Sequence, residues 1–234
     1  MTSDLATLPP SPLDAWPPVW APAAVIFDCD GLLVDTEGHW VSLQDQYLAR
    51  HGASLDAVTR RAITGRAAEV VVVTIAEAVG KDPMQVGTEL MEEHRRTIGD
   101  TMAPLPGAVE TLRAIAAVRP VAVASNSPRD MLETKLVDLG IADIVDAAIS
   151  LDDVEAPKPA PDMYVAAARE LGAEPADCLG FEDSETGADA ALAAGLQLIV
   201  VPSIPGQDPR GPRRLHSLAD PVLSAWIAGW ESPR

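Results

Sequence analysis

Residues 24–31 read AVIFDCDG, and they carry the strongest structural signal in the chain. Four consecutive apolar residues predict a short buried strand, and Gly31 indicates a turn directly after it. Asp28 and Asp30 then lie close together at the carboxyl end of that strand, where their like charges repel. Because Mg²⁺ prefers oxygen ligands and a few carboxylates, a bound ion would relieve that repulsion. Asp28 is alternatively an ordinary turn residue, since aspartate is common beside glycine.

The chain from Ala103 to Pro202 alternates between strand-like and helix-like segments. Apolar runs predict strands at 121–124, 147–149, 178–181 and 196–201. Helices are predicted at 107–118, 128–139, 160–171 and 185–194. Repeated strand–helix–strand units predict an α/β fold, with a Rossmann-like parallel sheet and helices on both of its faces.

The predicted parallel sheet also indicates where a ligand would bind. Ligands of such sheets lie beyond the carboxyl ends of the strands, and an aspartate at such an end is well placed to attack phosphorus. Asp28, Ser125 and the Glu182-Asp183 pair all lie at predicted carboxyl ends. The fold and the chemistry therefore indicate one common site.

The composition is strongly acidic. The 234 residues include 35 acidic and 17 basic side chains, with a formal net charge of −18. That charge disfavours nucleic acid and anionic membrane surfaces as partners. No apolar run reaches the ~18 residues of a membrane span, and the N-terminus lacks the features of a signal peptide. We expect a cytoplasmic protein whose Cys29 and Cys178 are buried thiols rather than a disulfide. The oligomeric state stays open, with a monomer as the default.

Four short motifs, in a fixed order, carry a family resemblance. They read DCDGLLVDTE at 28–37, VAVASNS at 121–127, APKPAPD at 156–162 and CLGFEDS at 178–184. Together they resemble the signatures of the haloacid dehalogenase superfamily, and the resemblance extends from Ala23 to Pro202. It implies a Mg²⁺-dependent phosphoryl-transfer enzyme that works through an aspartyl-phosphate.

The resemblance assigns a role to each charged residue at the strand ends. Asp28 would attack phosphorus, while Asp30 would protonate the leaving oxygen and then deprotonate the hydrolytic water. Asp183 would bind Mg²⁺ together with the side chain of Asp28 and the backbone carbonyl of Asp30. Glu182 would be a further or water-mediated ligand. Lys158 would neutralise charge on Asp28 and on the phosphate.

Polar groups after the second predicted strand complete the implied site. Ser125 and the Asn126 amide would donate hydrogen bonds to the phosphoryl oxygens. An aspartate at position 30 favours phosphoryl transfer over dehalogenation, because dehalogenation needs no second catalytic aspartate for a phosphoryl leaving group. The motifs therefore predict a phosphatase whose partner is a small phosphorylated metabolite, namely a sugar or polyol phosphate.

The chain divides into three predicted parts. Residues 1–22 contain six prolines and predict an extended or disordered N-terminal arm. Residues 37–100 break the alternation, are mostly helical in pattern and resemble the superfamily's helical cap domain. Residues 23–36 and 101–234 form the α/β catalytic core. Within the cap, the run at 70–73, VVVV, is compatible with either a helix or a strand.

The cap sequence bears on the choice between phosphatase and mutase. β-Phosphoglucomutases carry a histidine and an arginine at positions similar here to Trp40 and Ala68, while His39 and Arg66 lie nearby but out of register. This departure favours a phosphatase similar to 2-deoxyglucose-6-phosphatases, with Trp40 and Arg66 as candidate substrate contacts. A β-phosphoglucomutase-like sugar phosphomutase is the alternative.

A non-catalytic module is the remaining alternative. Receiver domains also place acidic residues, Mg²⁺, a hydroxyl and a lysine around a phosphorylated aspartate, and Asp152-Asp153 follows a predicted strand. The close spacing of Asp28 and Asp30 and the long insertion at 37–100 argue against a receiver-like or phosphate-binding module.

Overall fold

Strands at the centre of the molecule form one parallel sheet. The structure is a computed structural model that describes residues 10–63, 68–101, 103–203 and 207–231. Within these ranges the sheet has six strands in the order β3-β2-β1-β4-β5-β6, each parallel to its neighbour. The strands are β1 Ala24–Phe27, β2 Val121–Ala124, β3 Ala147–Ile149, β4 Cys178–Glu182, β5 Gln197–Val200 and β6 Arg213–Arg214. The parallel sheet predicted from the sequence is confirmed, and β6 is an additional short edge strand.

Nine α-helices are present in the described residues. They are α1 Thr36–Arg50, α2 Ala57–Ile63, α3 Ala68–Val79, α4 Pro83–Thr101, α5 Ala108–Ala116, α6 Arg129–Asp138, α7 Asp162–Glu170, α8 Glu185–Ala194 and α9 Pro221–Ala228. Helices α5, α6 and α9 cover one face of the sheet, and α7 and α8 cover the other. The helices predicted between the strands are confirmed, with ends displaced by up to two residues.

Strand β1 shows why these segments become central strands. Val25 and Phe27 pack into the apolar core on one face, whereas Ala24 and Ile26 pack into the core on the other. All four residues are completely buried, as expected for a parallel sheet that has helices on both faces. Cys29 and Cys178 are likewise buried free thiols, as the sequence predicted.

Helices α1 to α4 form the cap and have an apolar core of their own. This third cluster includes Leu43, Tyr47, Ile75 and Leu90. The ambiguous run at 70–73 lies within helix α3, where Val71 is buried beside Ile75 one turn later. The exact domain limits at 36/37 and 100/101 stay a prediction, although Val34 pairs with Pro104 where the chain leaves and re-enters the core.

The N-terminal segment packs on the body of the protein over its described part. Ser11 caps a single helical turn at Pro12–Asp14, and Leu13 is completely buried. Trp16 lies edge-on to Trp226 with ring centroids 5.4 Å apart. Over residues 10–22 the segment therefore packs on the core through Leu13, Trp16 and Trp20, and the extended or disordered arm at 1–22 stays a prediction for the segment as a whole. Residues 1–9 lie outside the described part.

The C-terminal tail also returns to the core. Asp220 caps helix α9 at two backbone N–H groups, and Leu223, Trp226 and Ile227 are buried. None of the helices found in the described ranges is both long and apolar enough to cross a membrane.

Candidate active site

Three neighbouring strands end at the same edge of the sheet and bring the predicted residues together. Asp28 directly follows β1, Ser125 directly follows β2, and Glu182 is the last residue of β4. The register pairs Phe27 with Val123 on one side and with Phe181 on the other. The side chains that follow are therefore level with one another at the carboxyl edge, where parallel sheets bind ligands.

Lys158 connects two of the strand ends through its ammonium group. Its Nζ donates to Asp28 Oδ1 and to Glu182 Oε1, each at 2.6 Å, and to the carbonyl of Ala124 at 3.0 Å. These contacts use all three N–H donors of the ammonium. The Asn126 side chain holds the lysine's backbone from both sides, accepting from Lys158 N at 3.0 Å and donating to Lys158 O at 3.2 Å.

Glu182 is held by the protein at both of its carboxylate oxygens. Oε1 accepts from Lys158 and from Tyr164 Oη at 2.5 Å. Oε2 accepts from the backbone N–H of Asp183 at 3.1 Å and from the Ser184 hydroxyl at 3.2 Å. A Cβ on Gly187 would overlap this carboxylate, so glycine is required there. Glu182 thus fixes the orientation of Lys158.

We call Asp28, Lys158, Glu182 and Asp183 the Asp28 cluster. The positive and negative charges within this cluster do not balance. Burial raises the pKa of Asp28 well above its usual range; Lys158 counteracts this, while Glu182 and Asp183 raise it further. Burial works against charge on Lys158 too, yet the neighbouring carboxylates of Asp28 and Glu182 raise its pKa well above normal. One cation faces three buried carboxylates, which leaves a net negative charge.

This imbalance and one unpartnered atom fit a divalent cation. Asp28 Oδ2 is buried with no hydrogen-bond partner in the described residues. Asp28, Glu182 and Asp183 each offer an oxygen within 4.8 Å of the others, which is the hard donor set that Mg²⁺ prefers. Burial, followed by the charge of Glu182, raises the pKa of Asp183 to about 7. A cation would replace the proton that this pKa implies.

The turn after β1 contains a glycine, Gly31, that leaves room for the side chain of Asp183. Gly31 has a φ of +85°, and a Cβ there would lie 2.2 Å from Asp183 Oδ2. Ser203 donates to the same oxygen at 2.5 Å. Position 31 therefore requires glycine both for its left-handed backbone and for the close approach of Asp183.

A second group, which we call the Asp30 cluster (Asp30, Lys135, Ser125 and Ser127), lies beside the first. Asp30 Oδ2 accepts from Ser125 Oγ at 2.6 Å and from Ser127 Oγ at 3.0 Å. Asp30 Oδ1 accepts from Lys135 Nζ, which also donates to Ser127 Oγ at 2.7 Å. Burial alone would raise the pKa of Asp30, but the charge and hydrogen bond of Lys135 and the serine hydroxyls outweigh it and lower that pKa.

Lys135 lies outside the four sequence motifs, although its position in the sequence contains a signal for burial. Lys135 lies four residues after Met131 and three after Leu132, in register with the buried face of helix α6. A lysine in the apolar stripe of a helix needs a buried partner, because an unpaired buried charge is very costly. Tyr164 and Ser203 were missed as well, and nothing in their local sequence marks them.

Above the core, the cap contributes aromatic side chains. Trp40 is half-buried against the apolar core of the cap and lies edge-on to His94 with centroids 5.7 Å apart. His39 stacks obliquely on the same histidine at 5.2 Å. Burial and the nearby His39 lower the pKa of His94 to about 4. The substrate contact predicted for Trp40 stays a prediction, and Arg66 lies outside the described residues.

A cavity of about 320 Å³ lies at the cap side of the connection between the two domains. Asp35, His39, Gln46 and Glu93 are among its lining residues. Asp35 also caps helix α1, accepting from the N–H of Gly38 at 2.8 Å. The cavity is large enough for a small polar metabolite.

Comparisons with known proteins agree with this geometry. A family model described as haloacid dehalogenase-like hydrolase matches residues 22–195. The fructose-1-phosphate phosphatase YqaB of Escherichia coli (strain K12) is 32% identical over 181 residues, which cover 76% of this chain and 96% of that protein. Hexitol phosphatase B of the same organism is 32% identical over 211 residues, covering 86% and 91%.

Two further matches extend the comparison. The bifunctional riboflavin kinase/FMN phosphatase of Arabidopsis thaliana is 33% identical over 223 residues, or 88% of this chain, and the match spans about half (54%) of that longer protein. A putative β-phosphoglucomutase from Thermotoga maritima has the same fold, with a TM-score of 0.75, 22% identity and coverage of 88% and 99%. The family match covers well over half of the chain, so this chain belongs to the haloacid dehalogenase-like hydrolase family.

Proposed function

We propose that the protein is a Mg²⁺-dependent phosphatase that hydrolyses a small sugar or polyol phosphate through an aspartyl-phosphate on Asp28. The observation that carries this proposal is the pair of oxygens on Asp28. Oδ1 is held by Lys158, whereas Oδ2 is buried and has no partner among the described residues. A carboxylate held in this way at a strand end is placed to act as a nucleophile.

The first step forms a covalent intermediate. An oxygen of Asp28 attacks phosphorus, the bond between phosphorus and the ester oxygen breaks, and that oxygen leaves with a proton from Asp30. Lys158 limits the charge that builds up beside Asp28, and Ser125 offers its hydroxyl to a phosphoryl oxygen. Positioning and charge neutralisation of this kind carry most of the acceleration in phosphoryl transfer.

The second step restores the enzyme. Asp30, now deprotonated, takes a proton from a water molecule whose oxygen attacks the phosphorus of the aspartyl-phosphate. The bond between phosphorus and Asp28 breaks, inorganic phosphate leaves, and Asp28 is a carboxylate again. Asp30 ends the cycle protonated, so one carboxyl group serves as acid and then as base.

Metal binding is assigned to the carboxyl edge of the sheet. The side chains of Asp28 and Asp183 and the backbone carbonyl of Asp30 would hold Mg²⁺, which supplies positive charge to the phosphoryl group when bound. For Glu182 the metal role proposed from the sequence competes with its described bonds to Lys158 and Tyr164. These bonds support an orienting role or a contact to the ion through water.

The substrate class rests on the relatives. Two proteins about one-third identical over most of this chain are named for a sugar phosphate and for hexitol phosphates. The cap that would enclose such a substrate offers polar groups around a cavity of about 320 Å³. None of the residues that line this cavity belongs to the Asp28 or Asp30 cluster, so the sugar or polyol phosphate class that we propose rests on the relatives alone.

A panel of phosphate esters tests the proposal. Phosphate release would be measured from fructose 1-phosphate, sorbitol 6-phosphate, glycerol 3-phosphate, 2-deoxyglucose 6-phosphate, glucose 1-phosphate and p-nitrophenyl phosphate, with and without Mg²⁺. We expect metal-dependent release, fastest from one or more of the sugar or polyol esters. Conversion of glucose 1-phosphate to glucose 6-phosphate without net release would contradict the proposal and identify a mutase.

A further inference from the structure

Lys135 is a charged side chain in a place where charge is costly. It lies among the buried positions of helix α6, and its side chain is only 1% exposed. Neighbouring positions on this helix, Leu132 and Leu136, are buried apolar residues. A lysine kept in such a stripe is compensated by strong contacts at its ammonium group.

Those contacts form a closed ring of three side chains. Lys135 Nζ donates to Asp30 Oδ1 and, at 2.7 Å, to Ser127 Oγ. Ser127 Oγ in turn donates to Asp30 Oδ2 at 3.0 Å. Lys135 thus holds one carboxylate oxygen of Asp30, and Ser127 holds the other. The carboxylate cannot rotate without breaking both hydrogen bonds. The Asp30 side chain nevertheless remains 31% exposed.

Ser125 cannot hold the Asp30 carboxylate in place throughout the reaction. Its hydroxyl donates to Asp30 Oδ2 at 2.6 Å in the described structure, and a hydroxyl has one proton to donate. When Ser125 turns that proton to a phosphoryl oxygen, as proposed above, Asp30 loses this contact. Lys135 and Ser127 are then the described contacts that still hold the carboxylate.

We propose that Lys135 is a positioning residue which, together with Ser127, holds Asp30 in the orientation that reaches the leaving oxygen. This inference rests on the proposed phosphatase function, because it concerns the acid of its first step. Lys135 itself need not touch the substrate. A displacement of about 1 Å at a catalytic group can lower a rate by ~10²-fold.

The leaving group distinguishes positioning of Asp30 from a general structural role. An alkoxide of a sugar needs a proton to leave, whereas p-nitrophenolate is stable without one, so only the sugar ester depends on the acid in the first step. The ratio kcat/KM reports on the steps up to release of the leaving group and excludes hydrolysis of the aspartyl-phosphate. Loss of positioning should therefore lower kcat/KM for the sugar ester selectively.

The test compares Lys135→Met with Leu136→Ala, a buried apolar change at the next position on the same helix. For each variant, kcat/KM is measured with p-nitrophenyl phosphate and with the alkyl ester that the wild type hydrolyses fastest. We expect Lys135→Met to lose about 10²-fold on the alkyl ester and less than about threefold on the aryl ester. Leu136→Ala, if it weakens the fold, should lower both by a similar factor.

Ser127→Ala provides an independent variant should Lys135→Met fail to fold. It removes the other side of the ring and is expected to show the same selectivity with a smaller loss. Equal losses on both esters in the folded variants would overturn the positioning role while leaving the phosphatase intact. Absence of phosphate release from every ester by the wild type would instead overturn the proposed function, and the positioning role with it.

Discussion

Asp28 and Asp30 are two residues apart, yet the structure surrounds them differently. In the Asp28 cluster, Lys158 pairs with two of the three buried carboxylates, Asp28 and Glu182, and Asp28 keeps one oxygen without a described partner. In the Asp30 cluster, a single carboxylate receives Lys135 and two serine hydroxyls and has both oxygens occupied. The first cluster lacks positive charge, and the second has its charge balanced.

The pKa values follow this difference. Burial and neighbouring carboxylates raise the pKa of Asp28, whereas Lys135 and the serine hydroxyls overcome burial and lower the pKa of Asp30. These directions are those of the protein without a bound ion: Asp28, the proposed nucleophile, has the raised pKa, and Asp30, the proposed acid, has the lowered one. The proposed roles need the reverse, which a cation beside Asp28 and a negatively charged phosphoryl group beside Asp30 would favour. We therefore expect the Asp28 cluster to need an added cation before Asp28 can act as a nucleophile, whereas Lys135 already balances the charge of Asp30.

Removing the nucleophile should have the largest effect. We expect Asp28→Asn to lower kcat by about 10⁴-fold or more, because an amide cannot form the covalent intermediate. Steady-state phosphate release with the best substrate of the panel measures this. Asp189→Asn, at an exposed ion pair with Arg210, is the matched control and should keep wild-type activity. Retention of more than about a tenth of the rate by Asp28→Asn would rule out this nucleophile.

The two lysines should differ in their contribution to stability. Lys158→Met leaves the buried Asp28 and Glu182 without a cation, and we expect it to lower the free energy of unfolding by about 3–5 kcal/mol. Lys135→Met leaves one partly exposed carboxylate that still accepts from two serines, and we expect a loss of about 1–2 kcal/mol. Urea unfolding of both variants measures the difference.

The outcome of that comparison can contradict the account. Equal losses would show that the two clusters are equally dependent on their lysines. Lys81→Met, at a partly exposed pair with Glu89 in the cap, serves as the control for removing a lysine from an ion pair outside both clusters, and we expect it to lower the free energy of unfolding less than Lys158→Met does.

Metal binding should depend on pH because of Asp183. Its pKa of about 7 lies above that of the unfolded chain, so the metal-free fold holds a proton that the unfolded chain has lost. This contribution to stability is fully present below about pH 4 and is lost as pH rises to about 7. Mg²⁺ replaces that proton, and its affinity should be about tenfold weaker at pH 6 than at pH 8.

Thermal unfolding at a fixed, subsaturating Mg²⁺ concentration tests this linkage. The increase in Tm on adding Mg²⁺ should be larger at pH 8 than at pH 6, and Asp183→Asn should show little increase at either pH. An equal or larger increase at pH 6 in the wild type would contradict the assignment of Asp183 to the metal site.

Among these variants, we expect the smallest change in catalysis from a substitution in the cap. Among the described contacts, Trp40 packs against His94 and the apolar core of the cap. Trp40→Ala should therefore raise KM for the preferred sugar or polyol ester by less than about tenfold while kcat changes little. A loss confined to kcat would instead place Trp40 among the groups that act in the reaction itself.

The sequence predicted the Asp28 cluster more completely than the Asp30 cluster, for a physical reason. Asp28, Glu182 and Asp183 each stand at the end of an apolar strand, and parallel strands end at one edge, so local patterns were enough to bring them together. Lys158 lies in a proline-rich motif that could be recognised directly.

Other contacts depend on long-range packing that the local sequence indicates weakly or not at all. Lys135 reaches Asp30 from 105 residues away, and only its register with Met131 and Leu132 distinguishes it from a surface lysine. The edge strand β6 has two arginines, which have no strand signature, and it exists because β5 offers it backbone partners. The helix at 70–73 was ambiguous because a run of valines has no period of its own.

The most direct test of the account is to trap the covalent intermediate. Wild-type enzyme with Mg²⁺ and its best ester would be quenched in acid during turnover, digested and analysed by mass spectrometry, with Asp28→Asn treated in the same way. The account predicts a phosphoryl group on the peptide that contains Asp28 in the wild type and none in the variant. A phosphoryl group on another peptide, or phosphate release at the wild-type rate by the variant, would contradict it.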